Sequence, residues 1–346
     1  MAEELSIGGQ FVNKVVDLSG GPSGGSGRFR EQCLRYLAEP DSAPVRVLGA
    51  DRRVTARWLL RRELMVRSAA RLVSTNNVGF ATGRGMRVTL VRNANHFLTE
   101  QEWARSKRYF RPGFAAQIAW VRAGLRRADV IVVPSSSMAE RVGHVLPGVR
   151  DRIVVRFHPL RQPARTAAGP DERFLLCPIV DSPFKRMHVH LTELARVLPS
   201  GVRVVSTMRP DTAPPELRDD PRFRFVGVLD RDRLAEYYAR CAAVYYPTDV
   251  ESFGYPLAEA RSAGIPVIAQ DNAHNHEIAA LALHPFDPGH SASLRDAVEA
   301  ALCAVLTPDP EPFAAESYFD WLFDHHRSPV DSVPAGQREW ARDVPA

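Results

Sequence analysis

Apolar runs of strand length alternate with longer segments of helical period along most of this chain. The stretch VNKVVDLSG (12–20) predicts a strand, followed by a glycine-rich loop and a helix over RFREQCLRYLAEP (28–40) that stops at Pro40. Further strands are expected at 45–50, 71–76, 86–93, 129–135 and 152–159. A polar, proline-containing stretch at 161–173 interrupts this pattern, which then begins again with strands at 174–180, 202–208, 223–229, 242–248 and 265–270. Between these lie helical segments RMHVHLTELARVLP, DRDRLAEYYARC and PLAEARSAG. Alternation of this kind builds parallel sheets covered by helices, so the fold class is α/β with two successive units. The boundaries read as a first unit at 1–160, a linker at 161–173, a second unit at 174–306 and a tail at 307–346. The tail's aromatic segment ESYFDWLFDHH (316–326) predicts a last helix that crosses back to the first unit.

Composition sharpens the picture. A chain of 346 residues is long enough for two cores. No run of about 18 apolar residues suggests a membrane span, and the first residues carry neither a basic segment nor an apolar signal core. Four scattered cysteines without metal spacing suit a reducing compartment, so a cytoplasmic location is expected. The formal charge of +5 conceals a division. Residues 1–160 hold 26 Lys and Arg against 13 Asp and Glu, a net of +13, whereas residues 161–346 hold 19 against 27, a net of −8. The positive half attracts anions: phosphates, nucleic acid or an acidic lipid surface. Basic helix faces that only keep the unit solvated explain the charge equally well, and no nucleic-acid signature accompanies it. Only Lys14, Lys107 and Lys185 stand against 42 arginines, a bias typical of a GC-rich genome.

Two stretches carry candidate chemistry. In LSGGPSGGSGRF (18–29), glycines including Gly24 and Gly25 lie between a strand and a helix, where backbone N–H groups approach an anion closely. The spacing fits neither the dinucleotide fingerprint nor the P-loop pattern. In VESFGYPLAEARSAGIPVIA, Glu251 falls in a loop before a helix with Pro256 near its start and Gly264 at its end, and Glu259 falls about one turn into it. The two carboxylates flank one pocket if they accept hydrogen bonds from neutral hydroxyls; alternatively they only favour the positive end of the helix. His188 and His190, two apart on a helix, do not share a face, and His274 and His276 lack further ligands nearby, so no metal site is expected.

The segment from Glu251 to Ala269 resembles the E-x7-E signature and following G-x-P-V-I-A of the retaining glycosyltransferases usually called family four, which have the GT-B fold. FRFVGVLDRDRLAEYYARCAAVYYPT is similar to the stretch these enzymes place before the signature. ADVIVVPSSSMAERV (128–142) resembles the end of their N-terminal lobe, and GGSGRF (24–29) their glycine loop. The resemblance implies two Rossmann-like parallel-sheet lobes facing a central cleft, with an acceptor bound to the first and a nucleotide diphosphate sugar, of UDP or GDP type, to the second.

It also implies roles. Glu251 would hold hydroxyls of the transferred sugar, Glu259 the ribose, and Lys185 in SPFKRM the donor phosphates. Backbone around Ser252, Phe253, Gly254 and Tyr255 would face the diphosphate or sugar, and backbone at Val228 and Leu229 the base. His96 in RNANHFL resembles a first-lobe histidine near the reacting groups, and Gly24 and Gly25 would lie near the donor. One departure stands out. The arginine these enzymes often carry before the lysine is missing from LLCPIVDSPFK, so Arg186 or the glycine loop takes its load. The implied activity is metal-independent transfer to an acceptor hydroxyl with retention, on a glycan, glycolipid or specialised metabolite, with no cofactor and no nucleic acid. An anionic or lipid-linked acceptor, and peripheral contact with an anionic membrane at its cytoplasmic face, suit the basic first unit. The rival readings are a non-catalytic nucleotide-sugar-binding partner of the same fold and a basic nucleic-acid or membrane-surface binder.

Overall fold

A computed structural model describes residues 13–21, 24–161, 174–179, 185–248 and 251–324. The chain divides into two compact units, one running to Leu160 and resuming at Ala314, the other covering Arg161–Phe313. The predicted linker lies almost wholly outside the described residues, as do both termini.

The first unit holds a six-stranded parallel sheet among its described residues: β1 (Lys14–Asp17), β2 (Val45–Leu48), β3 (Arg71–Ser74), β4 (Met86–Leu90), β5 (Val130–Val133) and β6 (Ile153–Val155), in spatial order β2-β1-β3-β4-β5-β6. Runs such as VIVV and IVV are buried on both faces, as strands between two helix layers must be. The connecting helices are α1 (Gly24–Ala38), α2 (Ala56–Leu64), α3 (Glu100–Ser106), α4 (Phe114–Leu125) and α5 (Ser136–Val145). Three of these begin on a hydroxyl cap: Thr55 accepts from the Trp58 amide, Thr99 closes a capping box with Glu102, and Ser135 accepts from the Met138 amide. Side chains alternate between the two faces. Val16, Val73, Val88 and Val132 meet Phe29 and Cys33 of α1, while Val15, Leu72, Ile131 and Val133 belong to the opposite face, which α2 and α4 cover.

The second unit repeats the plan with β7 (Phe174–Cys177), α6 (Met187–Val197), β8 (Arg203–Ser206), α7 (Pro215–Arg218), β9 (Phe223–Phe225), α8 (Arg231–Arg240), β10 (Ala243–Tyr245), α9 (Tyr255–Ala263), β11 (Val267–Gln270), α10 (Ala273–Ala279), β12 (Leu283–Phe286) and α11 (Ser291–Cys303). Its parallel strands run β12-β11-β10-β7-β8-β9. The last helix, α12 (Ala315–Asp324), packs on α1 of the first unit. There Phe319 meets Phe29 and Tyr36, and the Tyr36 hydroxyl donates to Asp320 at 2.6 Å. Residues 307–313 stay with the second unit, where Asp309 pairs with Arg261 at 2.7 Å and Phe313 packs on Phe253.

Two elements differ from expectation. The glycine-rich stretch is a loop only in part: α1 begins at Gly24, with Gly24 itself at φ +64° and Gly27 buried. Glycine supplies the left-handed entry and the side-chain-free surface that an early start needs. β12, LHPF, was not expected as a strand. It lies at the sheet edge, pairing only with β11, which is where a strand tolerates Pro285.

Candidate active site

In an open parallel sheet the crevice for a ligand forms where strand order reverses, because the connections from the two neighbouring strands leave on opposite faces. In the second unit that point falls between β7 and β10. The chain leaving β7 brings Lys185, and the chain leaving β10 brings Glu251. Lys185 Nζ donates to Glu251 Oε1 at 2.8 Å, and the Tyr246 hydroxyl donates to the same oxygen at 2.6 Å. The ammonium also lies 5.6 Å from the centre of the Tyr246 ring. Side-chain exposure is 25% for Lys185 and 17% for Glu251, so both remain reachable from solvent. Among the described residues, the hydrogen bonds that Lys185 and Tyr246 donate to Glu251 both end on Oε1 and none reaches Oε2.

The backbone around this pair is unusual. Arg186, exposed and just before α6, has φ +44°, and Gly254, just before α9, has φ +75°. Neither helix has a side-chain cap, in contrast to α8 and α10, which Asp230 and Asn272 cap. A left-handed arginine costs about 1–2 kcal/mol. It lets the chain swing Lys185 towards Glu251 before the helix starts. A Cβ on Gly254 would stand 2.9 Å from Leu257 Cδ1, which excludes any larger residue without a shift. Leu257 N–H turns back to the Gly254 carbonyl at 2.9 Å, opening α9 tightly.

Glu259 is half-buried on α9, beyond its first turn, and that first turn contains no acidic residue. The alternative in which both glutamates serve the helix dipole does not describe this site: Glu251 is engaged by Lys185 and Tyr246. Ser252 and Tyr255 are half-buried, whereas the Phe253 ring is buried against Tyr255 and Phe313. Val228 is 71% exposed and follows Gly227, itself at φ +75°; Leu229 is half-buried. His274 of α10 adjoins the site. Burial pushes its imidazole below the ordinary value, against the opposing pull of Glu251 and of a hydrogen bond with the Phe253 backbone.

The remaining candidates belong to the first unit. Gly24 and Gly25 form the first turn of α1, where Ser26 accepts from Arg92 at 3.3 Å. His96 is 1% exposed. Its Nε2 lies 3.3 Å from the Gln117 amide nitrogen, its ring faces Phe114 at 5.6 Å, and burial with the nearby Arg122 charge lowers its pKa to about 4. It is thus a neutral imidazole, and among the described residues its Nδ1 has no partner. His190 is buried and His188 exposed, and among the described residues no cluster of His, Cys, Asp and Glu suits a metal.

Sequence reasoning missed Tyr246 and the inward role of Arg62. The only signal for Tyr246 is an aromatic hydroxyl at the C-terminal edge of β10. Arg62 lies within an arginine-rich stretch that looks solvated, yet it is fully buried at the first sheet's own reversal point, between β1 and β3. It pairs there with Asp17 and donates to the Val78 and Gly79 carbonyls at 2.7 and 2.8 Å.

Comparison with known proteins adds a family match over part of the chain and a fold. Residues 176–304, most of the second unit, match the family model described as Glycosyl transferases group 1. Among solved structures, the chain is similar to Anabaena HepE in complex with UDP and glucose (TM-score 0.58, 15% identity, 90% of this chain and 95% of that one). It is also similar to the sucrose-phosphate synthase of Thermosynechococcus elongatus (TM-score 0.54, 14% identity, 90% and 95%). A third similar structure is AviGT4, a glycosyltransferase involved in avilamycin A biosynthesis (TM-score 0.54, 15% identity, 90% and 93%). No curated protein sequence matches. These likenesses establish the expected fold, GT-B, with two Rossmann-like parallel-sheet lobes.

Proposed function

We propose that the protein is a glycosyltransferase that moves a sugar from a nucleotide diphosphate sugar to an acceptor hydroxyl with retention of configuration. The observation that carries this reading is the Lys185–Glu251 pair at the reversal point of the second sheet, inside the segment that matches the glycosyltransferase family. A diphosphate entering there supplies a stronger anionic partner for Lys185 than one carboxylate. Lys185 then stabilises the charge that grows on the leaving phosphate, the largest electrostatic demand of the reaction. Glu251, still anchored by Tyr246 through Oε1, offers Oε2 to hydroxyls of the sugar. Glu259 takes the ribose, and backbone N–H groups from Ser252 to Tyr255 take the phosphates. Arg186, exposed beside Lys185, stands in for the arginine missing before it.

His96 is the candidate on the acceptor side, acting as a hydrogen-bonding neutral imidazole. UDP is the first nucleotide to test, since HepE was solved with it. Among the described residues no helix is long and apolar enough to cross a membrane. Incubation of the purified chain with UDP- and GDP-sugars, with release of nucleoside diphosphate followed over time, tests the reading. Turnover of at least one donor supports it. Binding of a donor without any hydrolysis or transfer across an acceptor panel would instead identify a non-catalytic binding protein.

A further inference from the structure

The basic charge of the first unit is concentrated along the chain. Residues 52–128 carry 17 Lys and Arg but only three acidic residues, Glu63, Glu100 and Glu102. Of these cations Arg62 and Arg71 are buried, and Arg52 and Arg87 pair with Asp51 and Asp129 just outside the segment, so the surface charge rests on the others. Two of the three acidic residues are already engaged. Glu63 accepts from the Thr82 amide and hydroxyl, both at 2.8 Å, and Glu102 pairs with Arg141 at 2.7 Å. This segment includes α2 and α4, and both lie on the same side of the first sheet, as Leu59 of α2 and Val121 and Leu125 of α4 share one core. The intervening loop joins them: Arg62 of α2 holds the Val78 and Gly79 carbonyls, and a Cβ on Gly79 would stand 3.3 Å from the Gly124 carbonyl of α4.

Facing away from that core, the layer displays large apolar side chains to solvent. Leu60 is 63% exposed, Leu64 67% and Trp120 49%. Leu60 and Leu64 are neighbours one turn apart on α2, flanked by exposed Arg53, Arg57 and Arg61; exposed Arg126 and Arg127 follow α4. The other side of the sheet has a different character. There α1 pairs Glu31 with Arg35 at 3.1 Å, and α12 contributes Glu316 and Asp320, so charges of both signs are mixed.

We infer that the outer face of α2 and α4 docks on an anionic lipid bilayer. Leucines and a tryptophan ringed by arginines suit the headgroup region, where apolar side chains enter the acyl boundary and cations meet lipid phosphates. Nucleic acid satisfies the arginines but gives Leu60 and Leu64 nothing to enter. A second copy of the same face brings like charges together. The inference does not depend on the transfer reaction, and its test uses no sugar donor.

The full chain is sedimented with vesicles of phosphatidylcholine alone and with about 30 mol% phosphatidylglycerol. The expected result is binding at least about tenfold tighter to the anionic vesicles, weakening as salt is raised. Two double variants, Leu60→Ser with Leu64→Ser and Arg57→Gln with Arg61→Gln, should each weaken it at least about fivefold. All four side chains are exposed, so the melting temperature of each variant should match the wild type, as should its affinity for UDP. Equal binding to both vesicle types, or none to either, overturns the inference. So does binding that is insensitive to the leucine replacements, or a tighter, equally insensitive binding to duplex DNA.

Discussion

Each sheet of this protein places one acid–base pair at the point where its strand order reverses, and the two pairs are built for opposite ends. In the first unit Asp17 and Arg62 are both completely buried. Asp17 also accepts from Asn76 at 2.8 Å and from the Ser19 amide at 2.9 Å, and the Arg62 guanidinium lies 4.3 Å from the centre of the Phe80 ring. The ionic groups are held by several hydrogen bonds and shut off from solvent, with Arg62 Nε the one guanidinium nitrogen that has no hydrogen-bond partner among the described residues. In the second unit Lys185 and Glu251 remain partly open to solvent, and among the described residues the hydrogen bonds to Glu251 from Lys185 and Tyr246 both end on Oε1. The same topological position serves cohesion in one unit and, on our reading, chemistry in the other. The difference lies in how many other groups enclose the charges.

That contrast is open to direct attack. Arg62→Met strands Asp17 in the core and should cost about 3–5 kcal/mol of stability, read from urea unfolding. A loss under 1 kcal/mol would show that the first pair is not the brace described. His96 extends the comparison through acid. Its folded-state pKa of about 4 lies below the ordinary 6.5, so the unfolded chain takes up the proton first. The associated stability is fully present above pH 6.5 and is lost as pH falls towards 4, by roughly 3 kcal/mol in all. His96→Gln should flatten the fall in melting temperature over that window; an unchanged slope would remove His96 as its source.

Replacements in the second pair should register in turnover instead. Glu251→Gln should lower kcat at least about tenfold, equivalent to about 1.4 kcal/mol, while leaving the unfolding midpoint near that of the wild type. The smallest effect is expected for Tyr246→Phe, which removes one hydrogen bond to Glu251. About 1 kcal/mol, seen as roughly a fivefold fall in kcat, fits an anchoring role, and full activity would exclude it.

How much of this was legible in the sequence follows from the physics of each feature. Strands buried on both faces must be continuous apolar runs, so VIVV, IVV and FLLC mark both sheets in the sequence. Lys185 and Glu251 stand out in the sequence only through family resemblance, and their mutual contact does not, because residues 66 apart meet only through strand order. Arg62 was hidden for a different reason: one arginine turned inward among several turned outward leaves no mark in composition. The early start of α1 escaped because glycines that signal a loop also permit a left-handed helix entry, and β12 escaped because Pro285 argues against a strand anywhere but at an edge.

The central claim is that the open pair of the second unit receives the diphosphate of a nucleotide sugar. Calorimetric titration of UDP into the wild type and into Lys185→Ala tests it without requiring knowledge of the sugar or the acceptor. Removing a charged hydrogen-bond donor from phosphate should raise the dissociation constant at least about tenfold, with the fold intact by circular dichroism. An unchanged dissociation constant for UDP in Lys185→Ala would contradict the account.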